Sequence, residues 1–521
     1  MSSRPDDGDR QQSTPAGAAR AAGVLRLGED GHEEGASVRK IATGIRGFDH
    51  VAMGGLPARR ATVVAGQAGS AKTVFAAQFI AEGVRRGEPG VFVTLEEPAK
   101  DLRANLLTLG YDLTSWEEAG DWRFVDASPL ARPDAPQGHA PYRMETLVAQ
   151  VGHAVDATGA QRLALDSLNA VLSMQEDAGA ARQLLRSLVA SLRAMGLTVV
   201  LTVETPGDPG EALSRYGVEE FVADNVVLLR NAREGNFRRR TLEVLKMRGA
   251  MHHKGDVGFT VVPGQGLVVL PVTAPRQGRQ AGSERVSSGN AGLDRLTHGG
   301  LLRGSSTLLS GPTGTGKTLL ATQFAAQGAA SGEPALVVAY EETPEQVRAN
   351  GRALGHDIDV YEAQGLLHIV SLYPEVASFD DHLVEITDLV ERLRPTRLVI
   401  DSLSALERLG SAHAYREFVI SITSFVRTIG LASVMTAASS QLVSATSVTE
   451  SHISGLIDAV VLLRQIEHRS AMKVGILVLK MRGSSHERSI RELFFQDGDL
   501  VVGEPFADLA GVLGGQPVVH G

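Results

Sequence analysis

Cysteine is absent from this 521-residue chain, which removes disulfides, thiolate catalysis and cysteine-ligated zinc from consideration and is compatible with a reducing cytosol. No apolar stretch approaches the roughly 20 residues needed to span a bilayer, and the N-terminus has no hydrophobic signal region. The chain therefore reads as soluble and cytoplasmic, without a membrane partner. Positive charge is also in deficit: 51 Lys and Arg stand against 60 Asp and Glu, a net charge of −9. That balance argues against a protein whose main business is gripping nucleic-acid backbone. Residues 1–37 lack periodicity and aromatics and read as a disordered leader.

What is present is one pattern written twice. Gly66-Gln-Ala-Gly69-Ser70-Ala71-Lys72-Thr73 and Gly311-Pro-Thr313-Gly314-Thr315-Gly316-Lys317-Thr318 each follow an apolar β-rich run and precede a helical pattern. This is the setting of a P-loop: backbone N–H groups surround the phosphates of ATP, the lysine reaches the β- and γ-oxygens, and the threonine hydroxyl helps hold Mg2+. The flanks repeat at the same offset. Thr43-Gly44 matches Ser288-Gly289, Asp49 matches Asp294, and Glu96-Glu97 matches Glu341-Glu342. Ala71 stands where the pattern asks for glycine; alanine adds only a methyl and is tolerated where φ is negative, so the first site is expected to be altered and not dead.

A chain this long exceeds the single-core limit of roughly 250 to 300 residues, and the duplication supplies the domains. The boundaries read as 38–270 for the first, 271–284 for a linker rich in Pro, Gln, Gly and Arg, 285–505 for the second, and 506–521 for a flexible Gly-rich tail. In both copies near-continuous apolar runs alternate with helical patterns, which predicts an α/β fold with a mostly parallel sheet flanked by helices. The Glu pairs follow one such run. A second run ends in Asp166-Ser167 and Asp401-Ser402, a carboxylate placed to hold magnesium with Thr73 and Thr318. Further on, each copy has an apolar strand (Asn225 to Leu229, Ala459 to Leu463), a charged turn, and a strand ending in a basic cluster, Lys246-Met-Arg248-Gly249 and Lys480-Met-Arg482-Gly483. An Arg and a Lys held at a strand end can reach a neighbouring subunit's γ-phosphate.

Taken together, these residues resemble the KaiC family of circadian-clock ATPases and autokinases, built from two tandem RecA-like domains. Gly217-Val-Glu-Glu-Phe-Val-Ala-Asp-Asn-Val-Val-Leu-Leu-Arg230 and Thr449-Glu-Ser-His-Ile-Ser454 are the most specific segments. The resemblance covers roughly residues 38 to 500. It implies a homohexameric double ring with ATP between subunits, slow hydrolysis in the first ring and transfer of phosphate to hydroxyls in the second. It also implies roles. Glu96 and Glu97 would polarise the lytic water, and Glu341 and Glu342 would act as general base toward the acceptor. Lys246, Arg248 and His252, with Lys480, Arg482 and His486, would reach across the subunit interface. Ser454 would be the principal phosphoacceptor, Thr449 a secondary one, and a Kai-type or response-regulator protein the signalling partner.

The chain departs from the family where Ser454 is followed by Gly455 instead of a second acceptor, and where Glu450 replaces an aspartate. A single-site phosphoprotein or ATPase timer is therefore the expectation, in place of an ordered two-site cycle. Two other readings share the core. A recombinase- or helicase-like DNA motor needs basic loops near a ring centre, yet Pro206 to Glu220 is net acidic and Ser439 to Glu450 is uncharged until its last residue. An ATP-switched scaffold with negligible chemistry would be separated by single-turnover phosphate release.

Overall fold

The computed structural model describes residues 38–128, 144–172, 175, 177–205, 222–234, 237–270, 284–438, 453, 455–468, 470–506, 509–510 and 518–519. The expected leader, all but Glu284 of the expected linker, both candidate ring-centre segments and both candidate phosphoacceptors lie outside them. Within the expected tail, Leu509–Ala510 pairs with Val518–Val519.

Each copy folds into a nine-stranded sheet. The first runs Trp122–Asp126, Gly90–Thr94, Arg162–Asp166, Thr198–Glu204, Ala61–Gly66, Asn225–Glu234, Phe237–Met247, Val257–Val262 and Gly266–Val269. The pairs up to Asn225–Glu234 are parallel, and the remaining ones are antiparallel. The second sheet repeats this order from Leu367–Ser371 through Ser306–Gly311 to Asp499–Pro505. These are two tandem RecA-like α/β domains. Successive strand residues point to opposite faces, so Val64 joins one core while Val63 and Ala65 join the other. Both faces are covered, which is why the runs look continuously apolar in sequence.

A buried ion pair locks each helix that follows the P-loop onto its sheet. Arg162, 1% exposed, meets Glu88 at 2.6 Å and donates to the Ala42 and Phe79 carbonyls. Arg397, 2% exposed, meets Glu333 at 2.8 Å and donates to the Ser287 and Phe324 carbonyls. The guanidinium crosses the helices at Gly83 and Gly328, where any Cβ would collide with the arginine side chain. A glycine in mid-helix costs roughly 0.5 to 1 kcal/mol. Here the close approach requires it.

One expectation needs correction. The charged turn between the apolar strand and the basic-cluster strand is mostly strand: the hairpin arms extend to Glu234 and Phe237, and in the second domain to His468 and Ala471. The polar residues there lack an apolar period because the arms serve other contacts. In the first domain they reach the second domain, where Arg239 pairs with Glu417 at 2.6 Å and Asp380 at 3.3 Å, and Glu234 accepts from Ser411. Nearby, Arg46 pairs with Asp388 and Glu391, and Val268 and Leu270 join the second domain's core.

Candidate active site

Each P-loop is a turn from a buried strand into a helix, Lys72–Arg85 in the first domain and Lys317–Ala330 in the second. Both helices begin without a side-chain cap, whereas Asp112, Asp177, Asn290, Thr343, Ser378, Ser402 and Ser411 cap others. Uncapped N–H groups at a helix start, with the positive end of the dipole, suit phosphate. Lys72 Nζ donates to the Gly66 and Gln67 carbonyls, both at 2.9 Å, and Lys317 Nζ to those of Gly311 and Pro312, both at 2.8 Å. Burial lowers the pKa of both ammonium groups, and carboxylates nearby offset part of that shift. Ser70 and Thr315 are buried in the loops, and Gly69, Gly314 and Gly316 have positive φ.

Ala71 overturns the expectation of a negative φ. It adopts φ 68°, ψ 27°, the left-handed conformation that Gly316 takes at φ 91°. The turn from strand to helix dictates a left-handed residue at this position in both domains. An L-residue enters that region at a cost of about 1 to 2 kcal/mol, and the Ala71 methyl packs against the first core.

Opposite each loop stand the carboxylates. Thr73 Oγ1 donates to Asp166 at 2.7 Å, and Thr202 donates to its other oxygen. Asp401 likewise accepts from Thr436 and Thr318; burial raises its pKa despite those hydrogen bonds. Both Asp-Ser peptides are cis. The Glu pairs split their contacts. Glu96 accepts from Ser167 at 2.6 Å and Glu341 from Ser402 at 3.1 Å. Glu97 accepts from Asn105 at 2.6 Å and Glu342 from Asn350 at 2.9 Å. Burial raises the pKa of Glu97 and Glu342, reinforced by Asp101 and Asp166 in the first case and by Asp401 and Glu341 in the second. Each site thus presents a cation at a phosphate-shaped turn, an Asp–Thr oxygen pair, and a glutamate whose proton affinity is shifted toward the working range of a general base.

Asn105, Asn350, Thr202, Thr436, Ser167 and Ser402 were not singled out as contributors by the sequence reading. A signal existed for the asparagines, because Arg103-Ala-Asn105 and Arg348-Ala-Asn350 repeat at the P-loop offset. The arginines of that motif pair with Glu117 and Glu362, which fixes the helix carrying each asparagine.

The basic clusters do not join the P-loop of their own domain. Lys246 lies opposite Val226, which lies opposite Val63, three residues before Gly66. Lys480, Val460 and Leu308 repeat that register before Gly311. At roughly 3.3 Å per residue this places each lysine about 10 Å down the sheet from its own loop, with Arg248 and Arg482 further still. Lys246 Nζ donates to the Ala223 carbonyl at 2.8 Å, Lys480 Nζ to that of Ile457 at 3.0 Å, and Arg482 to that of Gly455. His252 Nδ1 lies 2.9 Å from the His253 carbonyl, and the partly buried His486 ring has no hydrogen-bond partner among the described residues.

The profile of a family described as "ATPase: KaiC" matches residues 41–274 and 286–505. The chain belongs to the KaiC ATPase family. It is 44% identical over 486 residues to the circadian clock protein KaiC3 of Synechocystis sp., covering 93% of this chain and 96% of that one. The circadian clock oscillator protein KaiC of Thermostichus vulcanus is 40% identical over 486 residues, 93% of each chain. That of Synechococcus elongatus is 39% identical over 487 residues, again 93% of each. Membership of a KaiC ATPase family makes ATP the nucleotide that the two P-loops imply. Among the described residues no helix is long and apolar enough to cross a membrane.

Proposed function

We propose that this KaiC-family chain is a slow ATPase and serine/threonine autokinase that works as a cytoplasmic ATP-bridged homohexamer in signalling or timing. The observation that carries the reading is the strand register: the basic cluster of each domain lies at the far end of the sheet from that domain's own loop, so it is suited to a neighbouring subunit's ATP. Transfer of a γ-phosphoryl group needs charge compensation on its equatorial oxygens, and Lys246, Arg248, Lys480 and Arg482 are the groups a neighbour would present. His252 and His486 accompany them at each interface. Thr73 with Asp166, and Thr318 with Asp401, are hard oxygen donors in mutual contact and fit Mg2+, which takes one or two protein oxygens besides phosphates and water. When bound, the ion neutralises charge developing on the β- and γ-phosphates.

In the first domain Glu96 and Glu97 orient and deprotonate water. In the second, Glu342, held by Asn350, takes the proton of a protein hydroxyl, and Glu341 steadies that hydroxyl. Ser454 is proposed as the main acceptor and Thr449 as a secondary one. A Kai-type or response-regulator protein is proposed as the reader of that phosphate.

Removing a lysine that contacts developing phosphate charge costs about 3 kcal/mol in a shielded site. The double variant Lys72→Ala, Lys317→Ala should therefore stay monomeric with Mg-ATP, measured by light scattering after gel filtration. An ATP-dependent hexamer in that variant would falsify the proposed ATP-bridged assembly. Labelled ATP with peptide mapping should place phosphate on Ser454, and label that survives Ser454→Ala with Thr449→Ala rules out both acceptors.

A further inference from the structure

Outside the loop positions Ser70-Ala71 and Thr315-Gly316, the two sites match in the groups described so far: lysine, threonine, aspartate, serine, two glutamates, asparagine and a second threonine. None of these explains why one site would hydrolyse ATP and the other phosphorylate protein. A difference stands one strand away. Glu204 ends the strand Thr198–Glu204 exactly opposite Gly66 of the first P-loop, and Ala438 ends the strand Ala432–Ala438 opposite Gly311 of the second. Both strand ends are pinned alike, with Glu204 N donating to Asn169 Oδ1 at 3.0 Å and Ala438 N to Ser404 Oγ at 2.7 Å. Thr205 N adds a bond to the Gly66 carbonyl at 3.1 Å. The backbones correspond, and the side chains do not.

Side chains two residues apart on a strand share a face. Thr202 points at Asp166, so Glu204 projects from the same face, at the P-loop end and exposed. Glu204 acts on the Lys72 ammonium together with Asp166 and Glu96, and among the described residues Asp401 and Glu341 act on that of Lys317. Among the described residues, the first site therefore has one more carboxylate than the second.

We infer that Glu204 selects water as the acceptor at the first site, and that Ala438 leaves the second site open to a protein hydroxyl. The inference rests on the ATPase and autokinase reading above and states what divides the two activities. In both reactions the nucleophile's oxygen forms a bond to the γ-phosphorus, the bond from that phosphorus to the β–γ bridging oxygen breaks, and ADP leaves with the electron pair. The nucleophile's proton passes to the Glu pair. A water carries two hydrogens and is oriented by two acceptors, one from the Glu pair and Glu204 for the other. A serine hydroxyl carries one hydrogen, and its Cβ needs space in place of the second acceptor. Glutamate and alanine at this strand end match those needs.

The test uses the full chain in two backgrounds. With Glu341→Gln and Glu342→Gln silencing the second site, phosphate release reports the first. Glu204→Ala should lower kcat by about tenfold or more, as expected when a group orienting the nucleophile is lost, with KM for ATP within about twofold. Glu204→Gln keeps the shape and one acceptor oxygen and should fall between. With Glu96→Gln and Glu97→Gln silencing the first site, Ala438→Glu should cut label incorporation about tenfold and raise phosphate release. Binding of a fluorescent ATP analogue verifies that each variant remains folded. Unchanged kcat in both Glu204 variants, or a raised KM at unchanged kcat, overturns the inference, as does undiminished labelling in Ala438→Glu. Absence of both phosphate release and label from the unmutated chain overturns the underlying reading instead.

Discussion

At the scale of single residues, the duplication acts as an internal control. Ala71 and Gly316 occupy the same left-handed turn, yet only alanine pays a steric cost there, about 1 to 2 kcal/mol. Glycine loses more chain entropy on folding, roughly 0.5 to 1 kcal/mol. Ala71→Gly is therefore expected to stabilise the first domain by no more than about 1 kcal/mol in urea denaturation, and to leave ATP binding intact. Loss of stability would show that the methyl's packing against the core outweighs the strain. The glutamates supply a pH signature. Burial and neighbouring carboxylates raise the pKa of Glu342, the proposed base, so it loses its proton at higher pH than an unperturbed glutamate. Autophosphorylation should rise with pH through that raised value, and Glu342→Gln should abolish the acid limb together with most of the rate. A profile flat down to the ordinary range would mean that Glu342 is not the base.

Among the elements, the long hairpin Asn225–Glu234 with Phe237–Met247 has two attachments. Asn231 approaches the first P-loop, its Nδ2 at 3.4 Å from the Gly69 carbonyl, and Arg239 reaches helices of the second domain. Asp380, 7% exposed, is pushed up to about 6 by burial, which outweighs the attraction of Arg239; Asp381 and Glu417 push it the same way as burial. A carboxyl group whose folded pKa lies above its unfolded value contributes stability that is complete below the unfolded value and is lost as pH rises through the folded one. For Asp380 that window runs from about 4 to about 6. Arg239→Ala removes the partner of a buried charge and should cost about 3 kcal/mol at pH 8, much less at pH 5 where Asp380 is protonated. Adding Asp380→Asn should restore most of the loss. Urea denaturation at the two pH values checks this, and an equal loss at both would point to lost packing.

For the whole molecule, the register of the antiparallel strands matters most. Each parallel sheet delivers its carboxylates to the carboxyl end, beside the P-loop, as doubly wound sheets do. The chain then turns back, so a basic cluster at the end of an antiparallel strand must arrive at the opposite end. A monomer thus carries acidic and phosphate-binding groups at one end of each sheet and Lys-x-Arg at the other. In the proposed ring, one subunit's basic cluster would meet its neighbour's phosphate-binding end. Charge-reversed Arg248→Glu with Arg482→Glu should therefore permit ATP binding by the monomer and block assembly. A hexamer in that variant, seen by light scattering, would place the subunit contact elsewhere.

Both P-loops, the Glu pairs, Asp166 and Asp401 were legible in sequence because each is a local signal: a strand, a turn and a helix start, or a carboxylate ending an apolar run. Repetition made those signals specific. The sequence also marked the basic clusters, since they end apolar strands at matching places. Which end of the sheet they reach depends on strand order and direction, which are long-range pairings that no window of residues contains. The first domain's hairpin arms were misread as a turn because their side chains answer to the other domain and so lack an alternating period. Ala71's backbone angle, the division of each Glu pair between a serine and an asparagine, and the juxtaposition of Glu204 with Gly66 join residues distant in sequence. Residue types follow from the chain alone. Which of them share a space is decided by tertiary packing, because only folding sets the distances on which hydrogen bonds and charge interactions depend.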